Sequence, residues 1–313
     1  MTRALPRAAG LALAWVLAAS PVRAQAWVPP AGQDTVTIAS QVIDNTGHVL
    51  TDGSTVYQGR SRSAAIYLEA DYAITDRLSV TVGIPFVFAK YLGPPPPPGV
   101  PEPPMVQPVD RCYCWQQGWQ DVGLSARFNL LNGDTALTTS VAYGLPSHGY
   151  EYVGEAVVGR HLRELRIAAD AGIRLDAISP RLGVQGRYSY AFVEEVLDVP
   201  SNRSNATVEA VFGMTDTLSV RGAVMRQVTH GGLRAGVLPP TPPDGVPWGE
   251  ITTPELFREH DRLLRDNNWR VGLGLSYSLA RADLFLSYVG FVTGSDTHAG
   301  RAFTAGLSVP FER

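Results

Sequence analysis

Charged residues occur at regular positions inside segments that otherwise alternate between apolar and small residues. Glu69 and Asp71 are two residues apart, so on a strand they would share one face. Arg166, Asp170 and Arg174 follow one another at intervals of four, which also keeps them on one face. If strands of this kind closed into a barrel, carboxylates and guanidiniums on the inner face would have two possible roles. They could form a mixed-charge constriction that selects permeating ions, or they could pair with each other and fill the interior of the barrel. The predicted interior-facing set is Glu69, Asp71, Arg127, Arg166, Asp170, Arg174, Arg187, Glu209, Arg221 and Arg270.

The sequence lacks the familiar motifs of catalysis. It contains no Gly-x-Ser-x-Gly, His-Glu-x-x-His, phosphate loop or dinucleotide fingerprint, so we predict no catalytic residue and no cofactor. Cys112 and Cys114 are the only cysteines, and they allow a disulfide, a metal-binding pair or two loop thiols. Two ligands are too few for a metal site unless His148, His161 or His230 joins them, so we predict no metal.

Strict alternation of apolar residues predicts the elements that carry these charges. From Ala64 to Ile74 every second residue is apolar, and the pattern resumes from Leu78 to Phe88. The segments are about 10–13 residues long, which suits strands tilted across a bilayer better than the strands of a soluble sandwich. Twelve strands are predicted, at 34–43, 62–74, 78–90, 119–131, 135–146, 165–176, 181–193, 204–214, 218–228, 268–279, 283–293 and 301–311. The expected fold is all-β: a single transmembrane antiparallel up-and-down β-barrel with a polar lumen.

The connections between these strands alternate in length. Short turns such as 75–77 and 132–134 are expected on the periplasmic side, and long loops on the outside. The long external loops are predicted at 44–61, 91–118, 147–164 and 229–267, with less distinct ones at 194–203 and 294–300. Reading 151–161 as a strand would make the count odd, so we predict a loop there, with a helical turn around Glu155 to Leu162 as one option.

The chain opens with a segment that is typical of exported proteins. Arg3 and Arg7 precede a short apolar run, and Ala24 ends a small-residue cleavage site, so residues 1–24 are predicted to be a signal peptide. The apolar run is too short for a membrane anchor. A periplasmic segment, 25–33, and the barrel, 34–313, follow. The formal net charge of −3 indicates no nucleic-acid partner.

Two long loops have features of their own. Pro94 to Pro98 should form polyproline II. Thr253-Pro254-Glu255 is typical of a helix N-terminus, and predicts a short helix to about Arg265. The loop that holds this helix is either a lid or plug, or a plain surface loop.

Three short motifs resemble a known family. They are Tyr72-Ala73-Ile74-Thr75-Asp76-Arg77-Leu78, which recurs as Phe212-Gly213-Met214-Thr215-Asp216-Thr217-Leu218, then Gly118-Trp119-Gln120-Asp121-Val122, and Gly144-Leu145-Pro146-Ser147. Together they resemble the outer-membrane proteins of the phenol-degradation MetA-pathway family. The resemblance implies a channel or transporter in the outer membrane of a Gram-negative bacterium, passing small hydrophobic or aromatic molecules. The implied partners are the lipid bilayer, a small-molecule permeant and the outer-membrane assembly machinery.

Two other functions remain open at this point. The first is a non-conducting structural or surface-interaction barrel, suggested by the Pro- and Trp-rich loops, and it predicts a sealed lumen. The second is an outer-membrane hydrolase, which needs a Ser/His pair at hydrogen-bond distance facing the lipid. The His-Asp-Ser-Asn-Gly block of outer-membrane phospholipases is absent from the sequence.

Overall fold

The strands form one closed antiparallel barrel. A computed structural model describes residues 26–57, 59–93, 108–234 and 253–312. Twelve long strands each pair with the next one along the chain, and the last pairs with the first, which closes the barrel; two short strands are additional. The strands are β1 Gln33–Val49, β2 Thr55–Val56, β3 Ser61–Thr75, β4 Leu78–Tyr91, β5 Gln116–Trp119, β6 Val122–Leu131, β7 Thr135–Leu145, β8 Glu164–Arg174, β9 Leu182–Val193, β10 Ser201–Gly213, β11 Leu218–Gly231, β12 Asn267–Leu279, β13 Ala282–Ser295 and β14 Thr297–Glu312. The helices are α1 Pro108–Arg111 and α2 Pro254–Leu263. The predicted fold class is confirmed.

The closing pair sets the register of the barrel. β1 and β14 pair from Gln33 opposite Glu312 to Val49 opposite Thr297, with an irregularity between Asn45 and Gly47. The short strands β2 and β5 pair with β1 and β4 respectively. Because every neighbour is paired, the barrel has no free strand edge.

The two faces of the wall have opposite polarity. Outward-facing side chains are large and apolar, with Leu273 66 % exposed and Val208 59 % exposed. Inward-facing Asn129 and Thr138 are polar and fully buried. An aqueous surrounding would favour the reverse, so this distribution indicates hydrocarbon outside the barrel. Separately, no helix in the described ranges is both long and apolar enough to cross a membrane.

Short turns occupy one end of the barrel, which we call the turn end; the opposite end is the loop end. In the repeated Thr-Asp turns it is threonine that bonds the local backbone: Thr75 Oγ1 accepts from Leu78 N at 3.0 Å, and Thr215 Oγ1 from Leu218 N at 2.9 Å. The aspartates reach elsewhere. Asp76 accepts from Ala31 N, and Asp216 pairs with Arg181. Both aspartates thus bond groups outside their own turn.

Several predicted boundaries differ from the observed ones at the loop end. β1 continues to Val49, and β13 and β14 are joined through Asp296 alone, because polar residues there still pair although they carry no apolar alternation. Residues 155–162 contain no helical turn. The predicted helix is present as α2, with Thr253 as its N-cap accepting from Leu256 N at 3.2 Å. The predicted signal peptide and Pro94–Pro98 lie outside the described residues.

Candidate functional site

A polar cavity of about 270 Å³ lies inside the barrel. Six of the ten predicted interior residues line it: Glu69, Asp71, Arg127, Arg166, Arg187 and Arg270. Glu164 and Arg203 also line it, although the sequence placed both in connections rather than strands. Their positions were detectable, because Glu164 has the same strand parity as Arg166 and Arg203 the same parity as Glu209.

The four other predicted residues do not line the cavity. Asp170, Glu209 and Arg221 lie nearer the turn end, where Arg221 Nη1 is 3.9 Å from Glu209 Oε2 and Gln185 donates to Glu209 at 2.7 Å. Arg174 lies at the rim of the turn end, 54 % exposed, and pairs with Asp134 at 3.1 Å. The predicted set therefore falls into two groups: six residues on the cavity wall, and four between the cavity and the rim of the turn end or at that rim.

Ion pairs hold several of the cavity arginines against the wall. Glu164 bridges Arg166 and Arg203, which come from β8 and β10. Arg187 of β9 lies 3.3 Å from Asp170 of β8. Such pairs fix the direction of each guanidinium, because a carboxylate fork matches it geometrically. Because the paired side chains lie along the wall, they do not fill the centre of the cavity.

Positive charge predominates in the cavity lining. Five inward-pointing arginines, Arg127, Arg166, Arg187, Arg203 and Arg270, face three carboxylates, those of Glu69, Asp71 and Glu164. Arg226 also borders the cavity, but its guanidinium stacks over the ring of Trp269, 5.3 Å from the ring centroid, on the outer face. Asp170, which does not line the cavity, offsets Arg187, so the excess positive charge is smaller for the interior as a whole than for the lining. Guanidiniums at the cavity surface can pair with a small molecule that carries a negatively charged group.

The N-terminal segment, residues 26–32, lies inside the barrel at the turn end. The carbonyl oxygen of Ala26 accepts from Thr138 Oγ1 at 2.6 Å and from Asn129 Nδ2 at 3.3 Å. Ala26 N donates to Gln185 Oε1 at 3.2 Å. Since these three partners point inward from β6, β7 and β9, the segment crosses the interior between the cavity and the turns.

Trp27 is the largest side chain of this N-terminal segment. Its Nε1 donates to Gly133 O at 2.9 Å, and its carbonyl accepts from Arg127, a cavity residue, at 3.3 Å. The indole ring packs against the inward face of Gly172, where a Cβ would lie only 2.4 Å from the ring. A glycine at this point of β8 therefore makes room for the ring.

Residues 146–163, which we call the inner loop, fold into the barrel at the loop end. Val158 packs on Ala65 and Val87, and Leu162 packs on Ala191 and Val193. These four wall residues all point inward. The Tyr150 hydroxyl donates to the Asp121 carboxylate and accepts from His161 N at 2.9 Å. The inner loop thus narrows the loop end, as the N-terminal segment narrows the turn end.

Helix α2 packs beside the inner loop. Its Leu263 packs against Leu233, and its Arg262 donates to the carbonyl of Arg160 at 3.3 Å. Arg262 also lies over the ring of Tyr152, 4.2 Å from the centroid. The predicted helix is therefore in contact with the inner loop.

Asp266, between α2 and β12, joins these elements electrostatically. Its carboxylate accepts from Thr297, from Asn268 at 2.8 Å and from Gln227 at 2.8 Å, and it lies 3.6 Å from Arg160. Burial alone raises the pKa of this carboxyl group, but the charges of Arg270 and Arg160 and the Thr297 hydrogen bond outweigh burial and hold the pKa well below 3.8. Asp266 is therefore ionised at neutral pH.

A disulfide joins Cys112 and Cys114, which resolves the alternatives left open by the sequence. A Ser/His pair is also present: Ser204 Oγ lies 2.7 Å from His230 Nε2 at the loop end, on the outer face. In the described part of the chain no carboxylate orients His230, and Ser204 shares its hydroxyl with Tyr188 at 3.0 Å. The pair meets the distance that the hydrolase alternative requires. Serine hydrolases also orient the histidine with a third polar group, a carboxylate or an amide, and the described residues place none on His230, so we interpret the pair as polar contacts among interfacial side chains.

Fold and site together define a closed twelve-stranded transmembrane barrel with a polar cavity inside it. No protein-family model and no curated protein sequence matches the chain. Among solved structures, an outer membrane channel from Pseudomonas putida F1 is similar, with 12 % identity, 92 % of this chain and 99 % of that chain covered, and a TM-score of 0.68. The barrel fold implied by the sequence resemblance is therefore confirmed.

Two further structures show a more distant similarity. The translocator domain of autotransporter NalP from Neisseria meningitidis has 11 % identity, coverage of 89 % of this chain and 88 % of that one, and a TM-score of 0.48. The CymD monoaromatic hydrocarbon channel has 10 % identity, 90 % coverage of each chain and a TM-score of 0.45.

Proposed function

We propose that the chain is an outer-membrane channel through which small molecules diffuse, with a preference for those that carry an anionic group. The observation that carries this proposal is the cavity within a closed barrel, where five arginines face three carboxylates. A low-dielectric wall strengthens the field of that excess positive charge and raises the local concentration of anions. Of the ten interior residues predicted from the sequence, the six at the cavity are proposed to line the permeation path, and the four nearer the turn end to hold its wall through ion pairs.

The permeant has a size and a chemical character set by the cavity. A volume of about 270 Å³ admits a small molecule, and Ala142, Met225 and Val289 add apolar surface beside the arginines. The resemblance in sequence implies hydrophobic or aromatic permeants. An aromatic ring with a carboxylate combines the two requirements, because the ring contacts the apolar wall while the carboxylate pairs with a guanidinium.

We further propose where the chain is located and how the barrel is oriented in the outer membrane. Residues 1–24 direct export and are removed, and the assembly machinery of the outer membrane inserts the barrel. The turn end, with the N-terminal segment, faces the periplasm, and the loop end faces outward, as is general for such barrels. Solutes would then pass the inner loop first and the N-terminal segment last.

Liposome swelling tests the channel directly. Vesicles containing the purified chain should swell in sodium benzoate faster than in arabinose, a neutral solute of similar size that crosses lipid slowly, and protein-free vesicles give the baseline for each. Changing Arg166 and Arg203 to Gln together with E164Q removes one net positive charge from the wall and should reduce the preference for benzoate. R62Q, a substitution on the outer face, is the matched control and should change nothing. Absence of swelling in both solutes would contradict the proposal.

A second candidate is a non-conducting barrel with a structural or surface role. The observation in its favour is that chain segments occupy both ends of the interior, the N-terminal segment at one and the inner loop at the other. It predicts no conductance in the full chain. Conductance in the full chain would exclude it, whereas conductance only after deletion of residues 26–31 would support it.

A further inference from the structure

Three side chains that could bind a metal ion converge at the loop end, apart from the cavity. They are Glu155 of the inner loop, Asp261 of α2 and His298 of β14, and their ligand atoms all lie within 4.8 Å of one another. Each comes from a different element of the fold. An ion bound there would connect the inner loop, the helix and the barrel wall.

The imidazole of His298 is poised to act as a ligand. The residue is 4 % exposed, and its Nε2 is buried without a hydrogen-bond partner in the described part of the chain. A buried ring nitrogen without a partner is costly, which is why such groups usually signal a function. The ring of His48 packs edge-on against it at 4.6 Å and limits the directions in which it can turn.

The two carboxylates lie close to the imidazole. The Asp110 carboxylate accepts from the backbone N–H groups of Glu155 at 3.0 Å and Ala156 at 2.8 Å, which fixes this part of the inner loop. The side chain of Asp261 is 12 % exposed; His260 Nε2 lies 3.2 Å from its Oδ1, which has no hydrogen-bond partner in the described ranges. An oxygen without a partner remains available to an ion.

We propose that Glu155, Asp261 and His298 bind a divalent transition-metal ion, with Zn²⁺ as the probe, and that the ion fastens the inner loop and α2 to the barrel wall. Two carboxylates and one imidazole suit zinc, whereas Mg²⁺ and Ca²⁺ prefer oxygen ligands alone. Ligands at about 2.1 Å from one ion are at most ~4.2 Å apart. The set must therefore contract by at most about 0.6 Å, from 4.8 Å to ~4.2 Å, which rotation of side chains can supply.

Calorimetry on the full chain in detergent, after removal of metals with EDTA, tests the site. Titration with ZnCl₂ should show one saturable site. E155Q, D261N and H298N should each weaken Zn²⁺ binding by about tenfold or more, while H230A, on the outer face, should bind as the wild type does. E155Q changes a residue outside the strands and therefore keeps the barrel folded. Absence of a saturable site, or equal affinity in all variants, would overturn the proposal.

Limited proteolysis tests whether the bound ion fastens the inner loop and α2 to the barrel wall. Zn²⁺ should protect the inner loop from cleavage in the wild-type chain and in H230A but not in E155Q, and EDTA should reverse the protection. Zinc binding without protection would overturn the fastening role. Neither readout requires transport, so failure of the proposed channel would not be mistaken for failure of the metal site.

Discussion

Arg187 and Asp170 pair across the neighbouring strands β9 and β8, with Arg187 Nη1 3.3 Å from Asp170 Oδ1. Asp170 is 1 % exposed, whereas Arg187 lines the cavity. The buried carboxylate thus holds the guanidinium against the wall of the proposed permeation path. The sequence left two roles open for the interior charges, structural pairing and charge selection. In the proposed channel this one contact serves both roles.

Substitution D170N should make the barrel less stable and more anion-selective. It removes the carboxylate that pairs with Arg187, whose side chain is 26 % exposed, which costs up to about 3 kcal/mol, and it takes a negative charge from the interior. Urea unfolding in detergent and reversal potentials in planar bilayers measure the two effects. D134N, which removes the exposed partner of Arg174 at the rim, is the control and should change stability by less than about 1 kcal/mol. Equal effects of the two substitutions would contradict this account.

Removal of the N-terminal segment should widen the path. Deletion of residues 26–31, or W27A alone, should raise single-channel conductance, since the indole ring lies between β8 and the Gly133 turn inside the barrel. G172V should act in the same direction, because a Cβ there would collide with the ring. G183V is the matched control: its new Cβ would meet only a backbone oxygen, at 3.8 Å. Unchanged conductance in the deletion, in W27A and in G172V would show that the N-terminal segment does not restrict the path.

Much of the fold could be predicted from the sequence, and the missing parts have physical causes. Alternation predicted the twelve long strands because hydrocarbon outside and polar groups inside impose a period of two. The last part of β1, residues 44–49, was missed because it extends past the apolar part of the barrel wall. Strands still pair there, but their residues show no apolar alternation. Glu164 and Arg203 also lie at strand ends where the apolar alternation stops, and only their parity with neighbouring charged residues could have placed them.

The inserted segments were harder to predict. Residues 26–32 contain no periodic pattern, and their position depends on hydrogen bonds to Thr138, Asn129 and Gln185, which lie more than a hundred residues away along the chain. The inner loop likewise packs through single contacts such as that of Val158 with Ala65. Long-range contacts of this kind leave no local mark in a single sequence.

Substitution Y150F should loosen the inner loop. It removes the hydroxyl that donates to Asp121 and accepts from His161 N, and leaves a buried carboxylate short of a donor. The expected local cost is about 1–3 kcal/mol, with faster proteolysis of the inner loop and a noisier channel. Y188F, which removes a hydroxyl on the outer face, should leave both properties unchanged. An unaltered proteolysis rate in Y150F would refute the anchoring role of Tyr150.

Acid should weaken the loop end through Asp266. The folded-state pKa of this carboxyl group lies below its ordinary value of 3.8, so its stabilising effect is fully present above about pH 4 and is lost as the pH falls below that value. D266N should abolish this part of the pH dependence and cost about 3 kcal/mol at neutral pH, because Arg160 loses its buried partner. Denaturant unfolding of both proteins at pH 7 and pH 3 measures the difference. A D266N barrel as stable as the wild type at pH 7 would contradict the expectation.

The most direct test of the proposed channel is the reversal potential of single channels in a planar bilayer under a salt gradient. We predict a conducting pore whose reversal potential indicates preference for the anion, and a shift toward zero when Arg166 and Arg203 are changed to Gln together with E164Q. A pore that prefers cations, or the absence of conductance in both the full chain and the chain lacking residues 26–31, would contradict the account.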